Sequence, residues 1–163
     1  MTKSNHEILY RIGKVGLNPP EALTLLITNG CNLHCRHCLM NCRSHTKSGP
    51  ISTQILLKRI NEFAALGGKQ ICIAGGEPLC HPDWYRILSF CCMYTDFQEV
   101  CLQTNGTLLT QSQVRKLLEL PAEKLTIQVS LDGADNFIHD YIRGSGSYEL
   151  TIDGIRRLVD LGT

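Results

Sequence analysis

Short aliphatic runs and helical stripes of apolar residues alternate along the chain, and that alternation predicts its architecture. Within Ala22 to Thr28, the run Leu23-Thr24-Leu25-Leu26-Ile27 reads as a fully buried strand. Ser52 then stands where it can cap a helix whose Leu56, Ile60 and Phe63 share one face, and Gly67-Gly68 ends that helix. Gln70 to Ala74 supplies a second strand leading into Gly75-Gly76-Glu77-Pro78, after which Pro82 opens a helix carrying Trp84, Ile87, Leu88 and Cys91 on one side. The unit recurs. Glu99 to Gln103 is a third strand, Thr104-Asn105-Gly106 a turn, and Thr110 with Gln113 a capping box ahead of Val114, Leu117 and Leu118, with Pro121 closing the helix. A fourth strand, Leu125 to Leu131, runs into Asp132-Gly133. A loop carrying His139, Asp140, Arg143 and Gly144 leads to a last helix with Ile152, Ile155 and Val159 inward.

Four strand-then-helix units at intervals of roughly thirty residues predict an α/β fold: parallel strands, right-handed crossovers, helices on the outer face of the sheet. Residues 1–21 carry only the weak pattern Ile8, Leu9, Ile12 and Val15, broken by Pro19-Pro20, and read as a short helix or arm ahead of a core at 22–163. Every notable polar motif follows a strand, which is the end of a β/α barrel where sites are built.

Composition narrows the class. With 163 residues, 43% of them hydrophobic, the chain can bury a core of its own, and its net charge of +1 gives no field that argues for nucleic acid or an anionic membrane. No signal-type h-region follows Met1 and no run approaches a membrane span, so the expectation is a cytoplasmic protein with neither nucleic-acid nor membrane partners. The nine cysteines do not suggest a disulfide framework, because the count is odd and the chain is rich in aliphatics. Cys72, Cys101, Cys91 and Cys92 fall in apolar patterns and read as core thiols.

Three other cysteines stand apart. In Cys31-Asn32-Leu33-His34-Cys35-Arg36-His37-Cys38, directly after the first strand, the thiols are separated by three and then two residues, close enough to face one concave loop. The residues leave three readings open. The first is a 4Fe-4S cluster with three thiolates and one iron left open, and the second is zinc held with His34, His37 or Cys42; the third is a set of unrelated free thiols. Cys42 and Cys80 remain unassigned. His139 beside Asp140 reads as structural, and Thr104-Asn105-Gly106 as a turn.

The three-cysteine spacing, with His37 in the position before the last cysteine, resembles the signature of the radical S-adenosylmethionine (radical SAM) superfamily. Gly75-Gly76-Glu77-Pro78, one unit later, resembles the element of that family which binds the methionyl amino group, and Ser130 to Gly144 resembles its Ser-Leu-Asp-Gly stretch and following arginine. The similarity is to the branch containing peptide maturases, anaerobic sulfatase activators and haem-pathway enzymes. It implies a partial (β/α) barrel with about four of an expected six β/α units, so residues 22–163 are read as the N-terminal part of a core domain. It implies two cofactors, a 4Fe-4S cluster on Cys31, Cys35 and Cys38 and S-adenosylmethionine. Gly75, Gly76 and Glu77 would hold the amino group, Ser130 and Asp132 would face the ribose, Arg143 would pair with the carboxylate, and His37 would flank the cluster. The implied activity is reductive cleavage of S-adenosylmethionine to a 5′-deoxyadenosyl radical that attacks a peptide or small-molecule substrate. Its partners would be a low-potential donor such as flavodoxin or ferredoxin and a chain supplying the missing strands. The alternative is a non-catalytic iron–sulfur or zinc module, or an inactive fragment of such an enzyme.

Overall fold

A computed structural model describes residues 3–42, 49–94 and 96–162. The polar loop expected before Gly49-Pro50 therefore lies, over residues 43–48, outside the described residues. After helix α1 (Lys3–Lys14), strands and helices alternate: β1 (Ala22–Leu26), α2 (Thr53–Ala65), β2 (Gln70–Ala74), α3 (Trp84–Met93), β3 (Glu99–Thr104), α4 (Gln111–Leu118) and β4 (Leu125–Val129). Helices α5 (Asn136–Arg143) and α6 (Ser147–Gly162) follow, and a single 3-10 turn occupies Pro78–Cys80. The sheet is four-stranded, in the order β1-β2-β3-β4, with every neighbouring pair parallel. Sequential order and parallel pairing together bring all four C-terminal strand ends to one edge. Among the described residues no helix is long and apolar enough to cross a membrane.

The core lies on one side of the sheet. Ile71, Ile73, Val100 and Leu102 point into it, and Leu56, Ile60 and Phe63 of α2, Ile87, Leu88 and Cys91 of α3, and Val114 and Leu117 of α4 cover them. Strand periodicity sends the alternate residues to the opposite face, which no helix covers among the described residues. There Cys72 and Cys101 stand side by side in register, partly exposed, with Gln103 Nε2 donating to Gln128 Oε1 at 2.9 Å. The core assignment of Cys72 and Cys101 is thereby corrected, whereas Cys91 and Cys92 are buried as expected. Strand β1 is likewise not fully buried: it has a neighbour on one side only, and Ala22, Thr24 and Leu26 alternate outward.

Local signals were met unevenly. The Thr110 side chain accepts from Gln113 N and caps α4, but the Gln113 Oε1 that a capping box needs has no partner. Ser52 takes the N-cap position of α2 without a side-chain cap bond. Residues 136–143, expected as loop, form α5, where the Asp135 side chain accepts from Ile138 N. On α6 the inward stripe is Ser147, Thr151 and Gly154, while Val159 is exposed. A side chain at Gly154 would meet the Gly106 carbonyl at 2.3 Å, so this face is small because the helix rests on the backbone of the turn after β3.

Ile87 has no exposed surface, so Ile87→Ala is expected to cost about 2–5 kcal/mol in urea unfolding. Gln128→Ala on the uncovered face is expected to stay within about 0.5 kcal/mol.

Candidate functional site

The segments after the four strands meet around one pocket of about 250 Å³, lined by Cys31, Leu33, Cys35, His37, Cys38 and Leu39 from the first, Ala74, Gly75 and Gly76 from the second, Gln103, Thr104 and Asn105 from the third, and Ser130 and Arg143 from the fourth. Eight of the ten candidate residues named from the sequence line this one pocket: Cys31, Cys35, Cys38, Gly75, Gly76, His37, Ser130 and Arg143. Glu77 and Asp132 are not in its lining.

The pocket depends on contact between backbones. Gly76 N donates to Thr28 O at 2.7 Å and Glu77 N to Gly30 O at 2.8 Å, which laces the segment after β2 onto the base of the cysteine loop. A Cβ at Gly76 would lie 2.3 Å from Gly30 O, and one at Gly75, whose φ is +148°, would lie 2.5 Å from Thr28 O. Glycine is required at both positions by this approach.

Glu77, expected to hold a ligand's amino group, is instead fully buried and spent on protein donors. Its Oε1 accepts from Leu79 N at 3.1 Å and from Thr104 Oγ1 at 2.8 Å, and its Oε2 accepts from Asn105 N at 2.7 Å. Burial pushes this carboxyl upward in pKa, opposed by those hydrogen bonds and by the Arg143 charge. The side chain therefore ties the second segment to the third.

The third segment does more than turn. Asn105 is buried, its Nδ2 reaches Asn32 Oδ1 at 3.0 Å and Cys31 Sγ at 3.9 Å, and its Oδ1 accepts from Thr107 N and Thr107 Oγ1. Asn105, which lines the pocket, and its hydrogen-bond partners Asn32 and Thr107 were not singled out from the sequence as site residues, because Asn-Gly after a strand carries the ordinary signal of a turn. The available clue was position, since the turn follows β3 as the glycine pair follows β2.

In the fourth segment, Arg143 Nε donates to Asp132 Oδ2 at 2.6 Å and Nη2 to Asp132 Oδ1 at 3.3 Å, while His37 Nε2 lies 3.0 Å from Asp132 Oδ2. Asp132 thus faces Arg143 and His37 rather than the pocket. Burial would raise its pKa, but the Arg143 hydrogen bond and charge, with His37, outweigh burial and hold it below the usual carboxylate range. Two of the five guanidinium donors of Arg143 go to Asp132, and Arg143 also lines the pocket, where a positive charge suits an anionic ligand. The cysteine loop is pinned to α5 by Arg36 N donating to Ile142 O at 2.8 Å and by the Arg36 guanidinium 4.0 Å above the Tyr141 ring.

The three thiols differ in environment. Burial raises the pKa of Cys31 and of Cys35, the latter opposed by the Arg143 charge, whereas the Cys42 backbone N–H, 3.4 Å from Cys38 Sγ, leads the effects that lower Cys38. Cys42 is buried against Cys38, with its thiol pushed up to about 11 by burial and by that neighbour. Cys80 is exposed on the 3-10 turn. Among the described residues no three His, Cys, Asp or Glu side chains converge as a single metal ion requires. The three thiols line one pocket, and a four-iron cube takes each thiolate at a separate corner, so the donor set is of the kind such a cluster uses.

Fold and site together define an α/β chain with a three-cysteine pocket at the C-terminal edge of a parallel sheet. Residues 25–163 match the radical SAM superfamily, and the chain belongs to that family, whose cofactors are S-adenosylmethionine and a 4Fe-4S cluster. It is 38% identical over 143 residues to an AdoMet-dependent heme synthase of Methanosarcina barkeri, covering 86% of this chain and 40% of the relative. It is 31% identical over 147 residues to the mycofactocin maturase MftC of Mycobacterium tuberculosis, covering 90% and 36%. The crystal structure of Streptococcus suis SuiB bound to S-adenosylmethionine shares the fold at a TM-score of 0.79 and 19% identity, over 97% of this chain and 36% of that one. The chain thus spans 40% and 36% of the lengths of these two curated relatives.

Gly76→Ala forces two backbones apart and is expected to lower stability by about 1–3 kcal/mol, read as a lower urea midpoint. For Asp132, whose folded pKa lies below its unfolded one, the stabilisation is complete above the ordinary carboxylate range and is lost as pH falls through the depressed value. The stability difference between wild type and Asp132→Asn is therefore expected to shrink on acidification, as measured by urea unfolding from neutral pH downward.

Proposed function

We propose that this pocket holds an open 4Fe-4S cluster on Cys31, Cys35 and Cys38 together with S-adenosylmethionine, and that the chain forms the initiating part of a radical SAM enzyme acting on a peptide or small-molecule substrate. The observation that carries the reading is the meeting of the three cysteines with Gly75, Gly76, Ser130 and Arg143 around one cavity. Bound there, the cofactor pair supplies a 5′-deoxyadenosyl radical by one-electron cleavage of a carbon–sulfur bond.

The chain's own residues bind and aim. Cys31, Cys35 and Cys38 would hold a 4Fe-4S cluster by three thiolates, which would leave a position for S-adenosylmethionine. Gly75 and Gly76, without side chains, let a ligand come close to backbone. Arg143 supplies a planar cation for the methionyl carboxylate, and Asp132, through its two contacts, holds that guanidinium and His37 in place. Ser130 offers a hydroxyl for the nucleoside. Glu77 supports the pocket from behind rather than touching the ligand. The similarity to an AdoMet-dependent heme synthase and to a mycofactocin maturase supports a substrate of one of those kinds. A low-potential donor of the flavodoxin or ferredoxin type would deliver the electron, and a further set of strands would complete the wall that encloses the substrate.

Anaerobic reconstitution tests this. About four irons per chain are expected, with 5′-deoxyadenosine released when S-adenosylmethionine and dithionite are added. Cys35→Ala is expected to abolish iron uptake and Cys91→Ala, a core change, to leave it. Tight zinc without iron uptake would overturn the proposal, and a cluster that never yields 5′-deoxyadenosine would reduce it to a non-catalytic iron–sulfur module.

A further inference from the structure

We infer that Asn105 is a positioning residue whose side-chain amide holds an N–H donor on the Cys31 sulfur, raising the reduction potential of the cluster. This rests on the reading of Cys31 as a cluster ligand.

The orientation of the amide is fixed by its neighbours. Its Oδ1 faces Thr107 N at 3.0 Å and Thr107 Oγ1 at 2.7 Å. A backbone N–H can only donate, so the side of the amide facing it must be the oxygen. The nitrogen therefore faces the other way, toward Asn32 Oδ1 at 3.0 Å and Cys31 Sγ at 3.9 Å. A third contact closes a ring: Asn32 Nδ2 donates to Thr107 Oγ1 at 2.7 Å, and that hydroxyl spends its proton on Asn105 Oδ1. Reversing the Asn105 amide would set donor against donor at Thr107 and acceptor against acceptor at Asn32.

The backbone of Asn105 is fixed as firmly. Its N–H donates to the buried Glu77 carboxylate at 2.7 Å, and its carbonyl accepts from Thr151 Oγ1 of α6 at 3.0 Å. Asn105 is 6% exposed and Cys31 8%, so water screens the N–H dipole little. The three sulfurs are served unequally. Cys31 receives Leu33 N at 3.4 Å and the side-chain amide of Asn105, Cys38 receives backbone N–H groups from Cys42, Met40 and Asn41, and at Cys35 the neighbouring positive group is Arg143. Taking up one electron adds negative charge to the cluster and its thiolates, and a donor fixed on one thiolate stabilises that state more than the oxidised one. Hydrogen bonds to ligand sulfur thus raise the potential.

The test is a potentiometric titration of the reconstituted chain with dithionite, without S-adenosylmethionine, following the electron paramagnetic resonance signal of the reduced cluster. Asn105→Ala is expected to shift the midpoint to lower potential. Thr107→Val, which removes the hydroxyl of the ring but keeps the Thr107 N–H that also holds Asn105 Oδ1, is expected to give a smaller shift in the same direction. Thr110→Ala, which removes only the cap of α4, is expected to leave the midpoint where it is. Equal midpoints in wild type, Asn105→Ala and Thr107→Val overturn the inference, as does a shift in Thr110→Ala equal to that in Asn105→Ala. Where Asn105→Ala takes up no iron, Asn105→Leu, which removes the donor and keeps the side-chain volume, decides, and an unmoved midpoint there overturns the inference. A wild-type chain that takes up no iron sinks the cluster reading and this inference together, whereas a cluster with unmoved midpoints sinks this inference alone.

Discussion

One buried carboxylate holds the functional edge of this sheet together. Glu77 has no exposed surface and accepts from Leu79 N, Thr104 Oγ1 and Asn105 N, so the segment after β2 cannot move without breaking bonds to the segment after β3. A carboxylate in such a place is costly unless its oxygens are satisfied, and here each of them is. Because Asn105 in turn reaches Asn32 and Cys31, the same carboxylate indirectly fixes the base of the cysteine loop.

Around that anchor the site is assembled by proximity of backbones more than by side-chain reach. The parallel order of the strands delivers four segments to one edge, and Gly75 and Gly76 let two of them touch through Thr28 and Gly30. The fourth segment closes the pocket through a set of charges, with Asp132 between Arg143 and His37. Such a scaffold lines the cavity mostly from strand ends and loops, with Arg143 at the C-terminal end of α5 as the helical contribution. It also explains why α6 carries small residues inward: Thr151 and Gly154 rest on the turn that Glu77 anchors.

Much of this was legible in the chain. The apolar stripes of α2 and α3 and the runs of β2 and β3 were read correctly, because each of these elements has one face in the core and periodicity reports burial directly. Legibility failed where burial is not apolar. The inner face of α6 is polar and small, the aliphatic run of β1 lies at a sheet edge, and Cys72 and Cys101 fall on a face that no helix covers among the described residues. For α5, a short amphipathic stretch with Phe137 and Tyr141 exposed gave no core stripe to detect.

The sequence by itself determined the kind of site, because three cysteines at that spacing, a glycine pair after the next strand and an arginine after the fourth are chemical requirements written in local order. Tertiary structure decided what each polar side chain does. Whether Glu77 faces a ligand or the protein, whether Asp132 meets a ribose or Arg143, and whether Asn105 is only a turn or also a donor to sulfur all depend on groups 11 to 74 positions away along the chain. A hydrogen bond is made by proximity in space, and local order along the chain does not contain that distance.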